Sequence, residues 1–92
     1  MKSYRVAHIL VKAKYEAEDL LLKLKKDQNL FHDLARKFSI CSSAKNGGDL
    51  GEIKPGKAAE EFEEAAMNLA ENEITEKPVR TQFGYHIIKK LK

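Results

Sequence analysis

The sequence predicts an α+β protein in which helices pack on a small sheet, and three observations lead to this prediction. A β-branched, apolar run stands near the start of the chain, at Tyr4–Val11. Three stretches with apolar residues at helical spacing follow it. Two strand candidates near the end are too close together for a crossover helix, which predicts an antiparallel hairpin. The predicted order is strand, helix, helix, loop, strand, helix, strand, strand.

The first strand candidate, Tyr4–Val11, reads YRVAHILV. It is apolar on both faces, a pattern typical of a central strand that is covered on both sides. One polar residue, His8, interrupts it.

The three helical stretches repeat apolar residues at positions i, i+3, i+4 and i+7. These are Ala17, Leu20, Leu21 and Leu24, then Phe31, Leu34, Ala35 and Phe38, then Phe62, Ala65, Ala66 and Leu69. Asn29 is the expected N-cap of the second helix. Asn72 is the expected end of the third.

The remaining segments predict a loop and short strands. Three closely spaced glycines within residues 46–51 indicate a loop with unusual backbone geometry, from which a strand leaves at Asp49–Ile53. Residues 79–80 predict a brief edge strand after Pro78. In the last strand, Tyr85–Leu91, His86 and Ile88 share one face.

Length and composition favour one folded domain spanning residues 1–92, with 42% hydrophobic and 34% charged residues. The net charge is only +3, and the lysines fall among carboxylates. Neither a basic stripe with stacking aromatics nor a bilayer-spanning apolar run is visible, so we expect no nucleic-acid or membrane partner. We expect a monomer.

Cysteine content and the N-terminus bear on location. A single cysteine, Cys41, excludes a disulfide framework, and the first residues lack the apolar region of a signal peptide. We therefore expect a cytoplasmic protein. The alternative is a domain excised from a longer exported protein.

Two histidines are the first candidates for chemistry, because His8 and His86 each interrupt an apolar strand. A buried imidazole needs a partner, and the two can bond each other. Spacing alone favours a structural polar pair over a functional one. His32 lies on the polar side of the second helix, where solvent exposure is enough to explain it.

Cys41 and the glycine-rich loop each have an ordinary explanation. A lone cysteine is more often inert than nucleophilic, and the loop lacks the lysine that ends a phosphate-binding loop. A zinc site built from Cys41, His8 and His86 matches no ligand spacing. Phe62 and Met67 have the helical spacing of core residues, whereas Phe83 precedes a turn glycine and suits an exposed contact.

Three motifs agree in resembling one family. They are HILV at His8–Val11, FSICSSAKNGGDLG at Phe38–Gly51 and TQFGYHIIK at Thr81–Lys89. Together they closely resemble the parvulin family of peptidyl-prolyl cis/trans isomerases over nearly the whole chain, and most closely the small stand-alone bacterial parvulins. The resemblance implies a four-stranded antiparallel sheet surrounded by helices. It also implies isomerisation of Xaa-Pro bonds in peptides and unfolded client proteins, without a cofactor or a metal.

The resemblance also implies the site residues. The catalytic ones are His8, Cys41, Thr81 and His86, and the substrate-binding ones are Leu50, Ala58, Phe62 and Phe83. Two positions depart from the family pattern, because Ala58 stands where a pocket methionine is expected and Ile53 where an aromatic is often found.

The chain also lacks the arginine-rich loop of phosphate-directed parvulins, since Val11 is followed by a short KAK link. We therefore expect no strong preference for phosphorylated substrates, and a neutral or apolar residue before proline. The competing hypothesis is a peptide-binding module in which the small side chains at positions 53 and 58 have weakened catalysis.

Overall fold

The computed structural model describes residues 3–92, and within them it has four strands and three α-helices. The strands are β1 Tyr4–Val11, β2 Asp49–Ile53, β3 Val79–Thr81 and β4 Gly84–Lys90, and the α-helices are α1 Lys14–Lys26, α2 Phe31–Phe38 and α3 Glu60–Met67. Two 3-10 turns, Gln28–Leu30 and Ser42–Asn46, precede α2 and β2. The α+β class, the element order and the closing hairpin are all as the sequence predicts.

The sheet has the order β2-β1-β4-β3, and every neighbouring pair is antiparallel. β1 therefore lies inside the sheet, which explains why its sequence is apolar on both faces. The longest pairing joins β1 to β4, with His8 opposite Ile88 and Leu10 opposite His86. Side chains two positions apart on adjacent strands are diagonal neighbours on one face. The two histidines consequently meet on the same side of the sheet.

Each face of the sheet carries its own hydrophobic cluster. On one face, α1 and α2 pack their buried side chains against Ile9, Val11 and Ile87. On the other face, Phe62 and Ala66 of α3 pack against a second cluster from β1 and β4. The histidines belong to this second face, where a single short helix leaves part of the sheet open. Among residues 3–92, no helix combines the length and apolar character needed to cross a membrane.

The predicted N-cap of the second helix is wrong. Asn29 lies inside the 3-10 turn that leads into α2, and the side chain of Asp27 accepts a hydrogen bond from its backbone N–H at 3.0 Å. Phe38, the last residue of α2, is 46% exposed rather than buried, and the ammonium of Lys23 lies 5.5 Å from its ring centroid.

The third helix ends earlier than predicted. It ends at Met67, and the backbone N–H of Leu69 already bonds the carbonyl of Ala66 in a tightened last turn. Asn72 adopts a left-handed backbone (φ 68°) and donates its N–H to the carbonyl of Lys90 at 2.7 Å. The segment after α3 is therefore held along β4, and hydrogen bonding to the sheet overrides the helical spacing of the sequence.

Candidate active site

The two strand histidines form a direct hydrogen bond beneath α3. His8 Nδ1 and His86 Nδ1 are 2.9 Å apart, the ring centroids are 5.1 Å apart, and the rings are nearly parallel. Both side chains are buried. The expectation that each buried imidazole finds a partner, and that the two bond each other, is confirmed.

Thr81 extends this contact into a chain of three side chains. Its Oγ1 lies 2.7 Å from His86 Nε2 and accepts the backbone N–H of Phe83 at 3.2 Å. The remaining nitrogen, His8 Nε2, is buried without a hydrogen-bond partner in the described part of the chain. Neutral imidazoles satisfy both contacts whichever way the protons run along the chain, because each ring supplies one donor and one acceptor nitrogen.

The site keeps both imidazoles neutral at pH 7. Burial and, to a smaller extent, the proximity of His86 lower the pKa of His8 to about 4. Burial also lowers the pKa of His86 to about 4. Phe62 contributes to this burial, because its ring stands edge-on to both imidazoles with centroid distances of 5.7 and 5.3 Å. The pair is thus a set of oriented dipoles in a low-polarity environment rather than a charged site.

A cavity of about 310 Å³ opens above the histidine pair. Its lining is largely apolar and consists of His8, Leu10, Cys41, Leu50, Ile53, Lys57, Ala58, Ala59, Phe62, Thr81, Phe83 and His86. Phe62 is buried, whereas Phe83 is 62% exposed at the rim, as expected for a side chain next to a turn glycine. A concave, apolar surface with few polar groups is the usual form of a binding site.

Cys41 reaches this cavity because the segment before it is fastened to β1. Ile40 donates its backbone N–H to the carbonyl of Leu10 at 2.8 Å. Ser39 Oγ accepts the backbone N–H groups of both Leu10 and Cys41, at 3.0 and 3.4 Å. The segment at residues 39–41 is therefore held at a fixed place beside the end of β1, the strand that carries His8.

The glycine-rich loop is needed for a close backbone approach. Gly48 has φ 85°, and its carbonyl accepts the N–H of His8 at 2.9 Å. A Cβ at this position would lie 2.3 Å from the carbonyl oxygen of His8, which no side chain can accommodate. The neighbouring residue is held by His32, whose Nδ1 lies 2.8 Å from the carbonyl oxygen of Gly47. Solvent exposure therefore does not explain His32, which is half-buried and anchors the loop.

All eight predicted site residues line the one cavity. Met67, which the sequence assigns by default to the core, is instead 48% exposed on α3. Sequence reasoning missed Leu10, Lys57 and Ala59. Leu10 had a signal, since it lies two residues after His8 and so on the same face of the strand. Lys57 and Ala59 had none, because their positions depend on a turn.

The alternative of a metal site gains no geometric support. Within residues 3–92, no three His, Cys, Asp or Glu side chains are grouped closely enough to hold a metal ion. Cys41 reaches the same cavity as the histidines, but the imidazole Nδ1 atoms already bond each other.

Comparison with known families decides the relationship. The model of the PPIC-type peptidyl-prolyl isomerase (rotamase) domain matches residues 8–92. This chain belongs to the parvulin family. The family that the three motifs resemble is thus confirmed, and so is the four-stranded antiparallel sheet that the resemblance implies.

Some relatives are much longer than this chain, and others have about its length. The chain is 51% identical over 87 residues to the foldase protein PrsA of Bacillus subtilis, covering 94% of this chain and 29% of that protein. It is 44% identical to a probable parvulin-type peptidyl-prolyl cis-trans isomerase of Bordetella pertussis, covering 92% and 33%. The chain thus spans about a third or less of these relatives. By contrast, the solution structure of NmPin, the parvulin of Nitrosopumilus maritimus, matches over 100% of this chain and 98% of that one, with a TM-score of 0.85 and 39% identity.

Proposed function

We propose that this protein catalyses cis/trans rotation about Xaa-Pro peptide bonds in peptides and flexible protein segments, and so assists protein folding. The observation that carries the proposal is the neutral, hydrogen-bonded His8–His86 pair at the floor of an apolar cavity. Membership of the parvulin family supports the same function. Residues 1–92 suffice for the proposed activity as a single domain, and we propose that it acts as a monomer, because one chain supplies every lining residue.

Such a site needs to supply little energy. Amide resonance creates a rotational barrier of about 18–20 kcal/mol, and no bond of the substrate skeleton has to break. A thousandfold acceleration requires about 4 kcal/mol of transition-state stabilisation. The twisted amide has lost its resonance and is less charge-separated than the planar one. A cavity of low polarity therefore favours the twisted state, and no cofactor takes part.

In this mechanism the apolar walls hold the proline ring while the preceding carbonyl rotates. Leu50 and Phe62 grip the ring, and Ala58 and Phe83 complete the groove. His8, His86 and Thr81 set the shape of the floor, since each is fixed by the hydrogen bond to the next. Their neutral state keeps formal charge away from the rotating amide.

Cys41 contributes polarity near the rotating amide rather than a covalent bond, because rotation does not require nucleophilic attack. Changing Cys41 to Asp is expected to retain activity within about tenfold, since a carboxylate cannot replace a thiolate nucleophile but can replace a polar group. Loss of all activity in a Cys41→Asp protein that still unfolds cooperatively would instead support the covalent route.

We further propose that the site does not select phosphorylated substrates. Among residues 3–92, the charged side chain that lines the cavity is Lys57, and no arginine lines it. A phosphate-specific site needs forked donors, which lysine does not offer. A neutral or apolar residue before proline is therefore preferred.

NMR exchange spectroscopy on Ala-Xaa-Pro-Phe peptides tests both proposals, with Xaa as Leu, Glu or phosphoserine. Faster cis/trans exchange in the presence of the protein is the expected result, with Leu at least as good as phosphoserine. Phe62→Ala should abolish most of the acceleration. Met67→Ala is the matched control, because it removes an exposed side chain from the same helix.

The second candidate function is a peptide-holding module, which the small side chains of Ile53 and Ala58 in the cavity favour. It predicts chemical-shift changes on peptide binding without faster exchange, and that result would refute the enzyme. The cytoplasmic location stays a prediction, with an exported parent protein as its alternative.

A further inference from the structure

A tight turn forms the part of the cavity wall that the sequence did not reveal. Pro55 and Gly56 are its central residues, Gly56 has φ 91°, and the N–H of Lys57 bonds the carbonyl of Lys54 at 3.2 Å. This is the pattern of a type II turn, which requires a positive φ at its third residue. Directly after it, residues 57–59 line the cavity. Ala58 and Ala59 pack against the second hydrophobic cluster, but each alanine offers little apolar surface with which to hold the wall in place.

The carboxylate of Glu63 fixes this turn to its surroundings. The backbone N–H of Gly56 donates to both of its oxygens at 2.9 Å. The hydroxyl of Tyr4 donates to the same carboxylate at 3.0 Å. Glu63 is thus the centre of a hydrogen-bond chain that joins the turn, helix α3 and strand β1.

The positions of Glu63 and Tyr4 connect this hydrogen-bond chain to the cavity. Glu63 directly follows Phe62, which contacts both imidazoles. Tyr4 lies four residues before His8 on the same face of β1. The hydrogen bond from Gly56 is the largest influence lowering the pKa of Glu63 below its usual range, so the carboxylate is charged at neutral pH. Hydrogen bonds to a charged acceptor are stronger than neutral ones.

We propose that Glu63 is a positioning residue for the isomerase reaction, holding the turn at residues 54–57 so that the wall at residues 57–59 is in place before substrate arrives. The role rests on the proposed function, since it concerns the binding of proline in that cavity. An ordered wall has no conformational entropy left to lose when the proline ring enters. Without Glu63 the wall at residues 57–59 is mobile, and the free energy needed to order it weakens substrate binding.

The test compares Glu63→Ala and Glu63→Gln with the matched control Glu64→Ala, which truncates an exposed glutamate on the same helix. Exchange rates at several peptide concentrations give KM and kcat, and amide hydrogen exchange at Gly56 reports on the turn. For Glu63→Ala we expect KM to rise about tenfold with kcat within about twofold, and the Gly56 amide to exchange faster. Glutamine keeps an acceptor oxygen and should restore most of the loss, whereas Glu64→Ala should change neither quantity.

Tyr4→Phe keeps the test decisive if Glu63→Ala does not fold, because it removes one hydroxyl only. It should raise KM about two- to threefold. The proposal is overturned if the Gly56 amide exchanges faster in Glu63→Ala while KM stays within twofold, or if kcat of that variant falls and KM does not change. If the wild-type protein does not accelerate cis/trans exchange, the proposed isomerase function is refuted, but the role of Glu63 can still be tested. The Kd of the same peptide then takes the place of KM, with the same tenfold change expected for Glu63→Ala.

Discussion

Acidification from pH 7 to 4.5 is expected to destabilise this protein through its buried histidine pair. The pKa of His8 is lowered to about 4 by burial and by the proximity of His86, whose own pKa burial lowers to about 4. In the unfolded chain both titrate near 6.5. Between these values the unfolded state binds protons that the folded state does not. The contribution of the pair to stability is therefore present above pH 6.5 and is lost as the pH falls towards 4.

The size of the effect follows from the shift. One proton on the pair, with its pKa lowered from 6.5 to about 4, corresponds to about 3 kcal/mol in full and about 2.5 kcal/mol at pH 4.5. The second imidazole adds at least as much, because charging one of two bonded rings opposes charging the other and so keeps the folded state from binding the second proton. Such a loss is a large fraction of the about 5–15 kcal/mol that stabilises a typical domain.

Urea unfolding followed by circular dichroism at pH 7, 6, 5 and 4.5 measures this loss. The lowered pKa values of Asp49 and Glu63 interfere little, because their contributions are present above the unfolded-state pKa values of 3.8 and 4.5 and are lost as the pH falls below them. A His8→Leu/His86→Leu variant is the control, and its stability should be nearly constant over the range. A wild-type protein equally stable at pH 7 and 4.5, or a double variant with the same slope, would refute the reasoning.

Three further outcomes follow from the site. Thr81→Val should cost about 1–3 kcal/mol in urea unfolding at pH 7, because it leaves a buried imidazole nitrogen unpaired. Unchanged stability would contradict that hydrogen-bond chain. Ala58→Met should lower KM for prolyl peptides about three- to tenfold by adding apolar contact inside the cavity, and a raised KM would show that the space is needed. Gly48→Ala should cost about 3 kcal/mol or more, because its Cβ meets the carbonyl oxygen of His8. Gly51→Ala, at φ 73° but with open space, should cost about 1–2 kcal/mol, and equal costs would argue against the close approach.

Much of the fold could be predicted from the sequence because its elements are strongly patterned. The four apolar positions predicted for the first helix are the residues that α1 buries. The bounds of β1 and β2 match the sequence prediction as well. The local pattern failed where the backbone forms hydrogen bonds with residues that are distant along the chain. The helical spacing extends to Leu69, yet hydrogen bonds to β4 end α3 at Met67.

The site, like the fold, could be predicted from the sequence only in part. A histidine inside an apolar strand is visible in the sequence, because burying a polar ring is costly and so requires an explanation. Together with the family motifs, this feature identified eight of the residues that line the cavity. Which atoms of Thr81, His86 and His8 bond one another was not visible in the sequence, since it depends on which atoms come within 3 Å across three strands.

The sequence by itself determined the order of the secondary-structure elements, the family and eight of the residues that line the cavity, because periodicity and motif spacing are local properties of the chain. Only the tertiary structure decided the neutral state of the histidines, the role of His32 and the anchoring of the turn by Glu63. Each of these depends on burial or on a partner distant along the chain, such as Gly47 for His32 and Tyr4 for Glu63. A hydrogen bond is formed by proximity in space, and spacing along the chain does not encode it.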